Sequence, residues 1–201
     1  MDLDETLVHG EKEGEVKITV PLSNGMSTQM AVNLRPGLKP FLRSMSKIYE
    51  VIVFTSSDRA YANAVLDMID PDHTLIHHRL YREHCTLYSE NFYIKDLRIL
   101  NRDLKNVIIV DNAPYAFGYQ LDNGYPIIAF IDNKDDKELN ILSDYLQHIA
   151  NVDDMREMNK KKFNLQWLCT ISAEEFLKYY IPNNDVIRTE LKQTLSSYFA
   201  L

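Results

Sequence analysis

Cysteine is scarce in this chain: only Cys85 and Cys169 occur, far apart and in no C-x-x-C pair. That argues against a disulfide framework and makes a reducing compartment, nuclear or cytoplasmic, the expectation. Long apolar runs are missing too, since none nears the ~20 residues that span a bilayer. Residues 1–10 are acidic and lack a basic n-region, so they do not read as a secretory signal. Positive charge is in deficit, with 22 Lys and Arg against 29 Asp and Glu and a formal net charge of -7. Direct nucleic-acid binding, which is driven by basic patches, is therefore not expected. An anionic substrate stays compatible, because one local cation and a metal reverse the sign inside a cleft.

What is present is an ordinary globular composition: 201 residues, 45% hydrophobic and 25% charged. That is enough for one domain with a core and a small appendage. "VKITVPLSNGMSTQMAVNL" (16–34) reads as two strands around an Asn24-Gly25 turn. A helix is expected after "RPG" (35–37), with Leu38, Phe41, Leu42, Met45, Ile48 and Tyr49 on one face. Short apolar runs at 50–55, 74–81, 106–112 and 125–132 read as strands, and 58–69 and the stretch around Leu139, Leu142, Leu146 and Ile149 as helices. "GEKEGE" (10–15) reads as a solvated loop. Strands alternating with helices indicate an α/β fold with a parallel sheet, a small β-hairpin insertion and no large cap. Residues 156–201 read as a helical C-terminal extension packed on the domain formed by 1–155. A capping box at Ser172 and Glu175, a break at Pro182 and docking aromatics at Phe176, Tyr179 and Tyr180 mark it.

Functional groups in open α/β sheets collect where strands end at their carboxyl edge. Three such places stand out: "DLDET" (2–6), "FTSS" (54–57) and "VDN" (110–112), with Lys95 between the last two in sequence. Asp2 and Asp4 lie two apart, so on an extended segment both side chains start on one side. A carboxylate can attack phosphorus, a second can protonate the leaving oxygen and later activate water, and a hydroxyl and an ammonium can hold phosphate oxygens. A hard cation must offset the repulsion of two anions. Asp2, Asp4, Thr55, Lys95, Asp111 and Asn112 supply each part. The bland alternative makes the acidic pair caps of a frayed terminus and Asp111-Asn112 a turn former.

With "DLDETLVH", "NLRPGLKPFL", "VIVFTSS", "LYREHC", "YIKDLRILNRDL" and "VIIVDNAP", the chain resembles the haloacid-dehalogenase superfamily. Within it, the resemblance is to the small RNA polymerase II C-terminal-domain phosphatases and Dullard/NLI-interacting-factor-like phosphatases, over about residues 2–155. The resemblance implies a HAD-like, Rossmann-like sheet flanked by helices. It implies a Mg²⁺-dependent protein serine/threonine phosphatase that works through an aspartyl-phosphate. By the same resemblance Asp2 is the nucleophile and Asp4 the general acid/base. The Asp2 carboxylate, the Asp4 carbonyl and Asn112 hold Mg²⁺, with Asp111 beside the metal. Thr55 and Lys95 bind phosphate, and Tyr61 and Arg82 face substrate. The implied partners are phosphorylated proteins or peptides, RNA polymerase II C-terminal repeats among them. Alternatives on the same fold are a noncatalytic tethering module and a small-molecule phosphatase.

The chain departs from that pattern in two places. The family places an apolar central strand before its first aspartate, where this chain has only Met1. A truncated first strand follows, through a late start or a divergent form, with an opened core and lost strand pairing. The Met1 amine, with a reference pKa of ~7.7–8.0, is then expected to be charged and to pair with Asp2. In addition, the charged stretch at 10–15 stands where the family builds an apolar peptide pocket. The histidines at 73, 77, 78 and 84 read as strand and loop residues, since neighbours on a strand point to opposite faces. Cys85 reads as a small buried apolar residue.

Overall fold

The computed structural model describes residues 1–89 and 92–168. The elements expected beyond residue 168 lie outside the described residues. In chain order the elements are β1 (Val8–Glu11), β2 (Val16–Pro21), β3 (Ser27–Leu34), α1 (Leu38–Met45), β4 (Ile52–Phe54), α2 (Arg59–Ile69) and β5 (His78–Leu80). They continue as β6 (Thr86–Ser89), β7 (Phe92–Ile94), β8 (Ile109–Asp111), β9 (Gly124–Pro126), α3 (Glu138–Ile149), α4 (Met155–Phe163) and α5 (Leu165–Leu168). None of the described helices is long and apolar enough to cross a membrane.

Two parallel strand pairs, β4–β5 and β8–β9, form the heart of the α/β fold. Met1 and Asp2 stitch them together. The Met1 amine donates to the Ile52 carbonyl at 2.8 Å, and the Phe54 N–H donates to the Met1 carbonyl at 2.8 Å. On the other side the Asp2 N–H donates to the Val110 carbonyl at 2.8 Å. The first residues therefore stand between β4 and β8, with Leu3 fully buried. Beside Met1, along the starts of these two strands, a cavity of about 330 Å³ is lined by Phe41, Met45, Ile52, Val107 and Ile109. The expected pairing of the Met1 amine with Asp2 is not seen. Its hydrogen bond goes to Ile52, and burial pushes its pKa down to about 6.

The insertion after the first turn is larger than the expected hairpin. β1, β3 and β2 make a three-stranded antiparallel sheet, with β2–β3 closed by Gly25 at φ 80°. Gly10 and Glu11, read as loop, belong to β1. Pairing with Val32 and Ala31 overrides the loop preference of the glycine and the charge of Glu11. Ile18 and Val20 face inward while Lys17, Thr19 and Pro21 face solvent, the period-two pattern of a half-buried strand. α1 begins after Gly37, whose φ of 80° a β-carbon would strain, and buries Leu38, Phe41, Leu42 and Met45. The helix ends there, so Ile48 is exposed and Tyr49 instead donates its hydroxyl to the Leu146 carbonyl.

Two expected strands are shorter than their apolar runs. Of 74–81 only His78–Leu80 pairs. The N–H groups of Thr74, Leu75 and Ile76 donate to the Asp70 carboxylate at 2.9–3.0 Å, which curls the segment. Of 125–132 only the start pairs, within β9. After the Ile127 N–H reaches the Asp111 carbonyl, the chain crosses the sheet end, and Ile128 and Ile131 face solvent. This crossing is held by Arg35. Its guanidinium is fully buried and donates to the Thr6 carbonyl (3.0 Å), the Ile128 carbonyl (2.7 Å) and both Asp136 oxygens (2.8 Å each). Burial of Asp136 acts against ionisation, but the Arg35 hydrogen bonds outweigh it and lower the pKa. α3 buries Leu139, Leu142, Leu146 and Ile149, and α4 seals the far side through Met155 and Asn159.

Removing one partner of a buried pair leaves an uncompensated charge. Arg35→Met should therefore lower unfolding stability by about 3–5 kcal/mol, read as a shift of the urea midpoint at unchanged slope. Asp70 offers a pH test. Burial opposes its charge, but the three N–H bonds prevail and hold its pKa below the ordinary value. Its contribution is thus present above the unfolded carboxylate pKa and fades as pH falls through the lower folded one. Asp70→Asn should destabilise the protein at pH 7 and lose less additional stability than wild type between pH 5 and pH 2, measured by urea titrations across that range.

Candidate active site

The turn after Leu3 is built to present Asp4. The N–H groups of Leu7 and Val8 both donate to the Leu3 carbonyl, and the Glu5 N–H donates to the Val8 carbonyl. Glu5 sits at φ 55°, a left-handed conformation that a non-glycine residue adopts only when its surroundings hold it. Its carbonyl accepts from Phe130 N–H. Thr6, fully buried, donates its hydroxyl to the Asn112 side-chain oxygen at 3.3 Å. The acidic turn and the end of β8 are therefore joined directly.

Asp2, Lys95 and Asp111 form one buried group. Lys95 Nζ donates to Asp2 Oδ1 at 2.5 Å and to Asp111 Oδ2 at 2.6 Å, and all three side chains are less than a tenth exposed. Burial alone would discharge Lys95, but Asp111 and Asp2 raise its pKa above the usual lysine value. Burial pushes the Asp111 carboxyl up against the pull of Lys95. Its other oxygen accepts from the Ala113 N–H at 2.8 Å. Lys95 is placed by its own backbone, whose N–H donates to the Ala116 carbonyl at 2.6 Å.

Asp4 sits in different surroundings. Its Oδ2 accepts from Ser57 Oγ at 2.6 Å and its Oδ1 from the Tyr61 hydroxyl at 2.7 Å. Burial raises its pKa, opposed by those two bonds. Thr55, at the end of β4, is 1% exposed, and its hydroxyl oxygen accepts from the Ser57 N–H at 3.0 Å. The threonine O–H proton thus stays available for an oxygen of a ligand. Arg82 is exposed on the rim, donating to the Ser56 carbonyl at 2.7 Å with its guanidinium over the Tyr93 ring. Cys85 is half-buried rather than fully enclosed, and burial pushes its thiol up to about 11.

The structure thus gathers Asp2, Lys95 and Asp111, and links Asn112 to them through Thr6 and the end of β8. Tyr61, expected against substrate, has its hydroxyl on Asp4. Ser57 was not singled out in the sequence, although it lies in the quoted "FTSS" run. Nothing local marks a serine whose partner is 53 residues away. Among the described residues no three His, Cys, Asp or Glu side chains converge on one point. The Mg²⁺ ligands expected from the resemblance are all oxygens: the Asp2 carboxylate, the Asp4 carbonyl and the Asn112 amide oxygen, which here accepts from Thr6. They are hard donors of the kind Mg²⁺ takes, and a set with a single carboxylate leaves room for waters.

Lys95 offsets two buried carboxylates, so Lys95→Met should destabilise the protein by about 3–5 kcal/mol. Combining it with Asp111→Asn removes one stranded charge and should recover part of that loss. Chemical denaturation of both variants beside wild type measures this.

Comparison with known proteins bears on this geometry. The model of the family described as "NLI interacting factor-like phosphatase" matches residues 1–156. CTD small phosphatase-like protein 2 of Dictyostelium discoideum is 44% identical over 171 residues, covering 84% of this chain and 30% of that protein. CTD small phosphatase-like protein 3 of Caenorhabditis elegans is 41% identical over 170 residues, covering 83% of this chain and 59% of that protein. The chain therefore spans less than two thirds of either relative. Among solved structures, the fission yeast RNA polymerase II CTD phosphatase Fcp1 bound to beryllium fluoride superposes with a TM-score of 0.54 at 19% identity. That match covers 99% of this chain and 61% of the other, and shows a shared HAD-type fold. With its family model matching from Met1 through α3 and its carboxylates gathered at the ends of the parallel strands, this chain belongs to the NLI interacting factor-like phosphatase family.

Proposed function

We propose that the chain is a Mg²⁺-dependent protein serine/threonine phosphatase acting through an aspartyl-phosphate on Asp2. The observation that carries this reading is the division of labour between two neighbouring carboxylates. Asp2 is buried and aimed by a lysine that takes only one of its oxygens, while Asp4 is held separately by two hydroxyls. One group is thereby kept as a nucleophile and the other as a proton carrier, the arrangement ester cleavage needs.

In the first step the free Asp2 oxygen attacks phosphorus and the bond from phosphorus to the serine or threonine oxygen breaks. Its electron pair leaves on that oxygen, which takes the proton carried by Asp4. In the second, Asp4 as carboxylate accepts a proton from water. The water oxygen bonds to phosphorus, the bond from phosphorus to Asp2 breaks, and phosphate leaves. Thr55 and Lys95 hold phosphate oxygens in line through a hydroxyl and an ammonium. The Asp2 carboxylate, the Asp4 carbonyl and Asn112 would hold Mg²⁺, which when bound neutralises charge between Asp2 and the phosphate. Asp111 fixes Lys95 from the far side.

A protein substrate is supported by what lies between the motif residues. Among the described residues, β1–β3, α1 and β4 lie between the first turn and Thr55, and α2, β5, a short 3₁₀ turn and the β6–β7 pair lie between Thr55 and Lys95. No separate covering domain stands over the site among the described residues, so an extended peptide can enter, with Arg82 on its path. The RNA polymerase II CTD, which the fission yeast neighbour is named for, is a candidate in its phosphorylated form. The charged 10–15 stretch points to a different sequence preference around the phosphoresidue. The free thiol of Cys85 suits a reducing compartment, nuclear or cytoplasmic.

Phosphate release from phosphoserine peptides in Mg²⁺ should exceed that from sugar phosphates. Asp2→Asn should lower it by roughly 10³-fold or more, and EDTA should abolish it until Mg²⁺ is returned. Equal release by wild type, Asp2→Asn and EDTA-treated protein would reject catalysis and leave a binding module. Preference for sugar phosphates would reject the protein substrate.

A further inference from the structure

Tyr61, in the first turn of α2, and Ser57, just before that helix, both reach Asp4. Each brings one hydroxyl to one oxygen, at 2.7 and 2.6 Å. Bonds this short to a carboxylate are the stronger class, and two of them on opposite oxygens fix both the torsion and the tilt of the group. The donors are themselves held. Asp58 caps α2 by accepting from the Ala60 N–H at 2.8 Å, which sets the first turn that carries Tyr61. Ser57 donates its own N–H to the Thr55 hydroxyl oxygen at 3.0 Å. Gly10 leaves room for the phenol, since a β-carbon there would stand 3.3 Å from the Tyr61 oxygen. One hydrogen-bonded chain thus runs from Tyr61 through Asp4 and Ser57 to Thr55. The Tyr61 ring packs against the core, a contact that Tyr61→Phe keeps while removing only the hydroxyl.

We infer that Ser57 and Tyr61 are positioning residues that hold the Asp4 carboxyl at the leaving oxygen and keep it in step with the phosphate-facing hydroxyl of Thr55. The inference rests on the reading of Asp4 as the proton carrier. It assigns Tyr61 to the acid rather than to the peptide. Misplacement of a proton donor by a fraction of an ångström lowers only the steps in which a proton moves. Those steps differ between substrates. A phosphoserine peptide expels an alkoxide and needs the proton, whereas p-nitrophenyl phosphate expels a phenolate that leaves without one.

Ser57→Ala and Tyr61→Phe should therefore lower kcat/KM for a phosphoserine peptide by roughly 10–100-fold while changing kcat/KM for p-nitrophenyl phosphate by less than about 3-fold. With the aryl substrate, kcat and KM should fall together, because aspartyl-phosphate forms normally and then waits for an activated water. A burst of p-nitrophenol before the steady state reports this directly. Ser57→Thr, which keeps the hydroxyl, should restore the peptide rate. Asp4→Asn is the reference. If Asp4→Asn shows the selective loss and the two variants slow both substrates alike, they act only through the fold and the inference is overturned alone. If Asp4→Asn shows no selectivity, the proton-carrier reading fails and the inference with it.

Discussion

One ammonium between two carboxylates organises this molecule. Lys95 bridges Asp2 on the first residues and Asp111 at the end of β8, with all three side chains buried. Three charges in such a place are tolerated only because each is paired. The bridge joins the N-terminal segment, the chain after β7 and the central strand pair at one point. Among the described residues Lys95 takes only one Asp2 oxygen, and the proposed nucleophilic role rests on the other.

The second carboxylate, two residues on, is kept in a different environment. Asp4 meets hydroxyls instead of an ammonium, and the turn that follows it is held with Glu5 in a left-handed conformation. Separating two acids by environment is what the proposed division into nucleophile and proton carrier requires. The Arg35 clamp supports the separation from behind. By binding the Thr6 and Ile128 carbonyls together it holds the acidic turn against the segment after β9.

Much of the layout could be read along the chain. The Asn24-Gly25 hairpin and the buried faces of α1 and α3 follow from local spacing, and the observed bounds shift by only a few residues. The failures share a cause. The runs at 74–81 and 125–132 have strand composition, yet their backbone groups find Asp70, Arg35 and the Glu5 carbonyl in place of a neighbouring strand. Gly10 and Glu11 have loop composition, yet β3 pairs them. In each case the deciding partner is a group that no strand period registers: Asp70 lies only four to six residues back, whereas Arg35, Glu5 and β3 are distant in sequence.

The same boundary divides the site. The sequence by itself determined which chemistry is possible, because residue type dictates it: Asp2 and Asp4 are carboxylates, Lys95 an ammonium, and Thr55 a hydroxyl at the end of an apolar run. Tertiary structure alone decided which carboxylate received the lysine and which the hydroxyls of Ser57 and Tyr61. That choice depends on where β4, α2 and β8 bring their ends, and charge and hydrogen bonding act only across the few ångströms that folding closes.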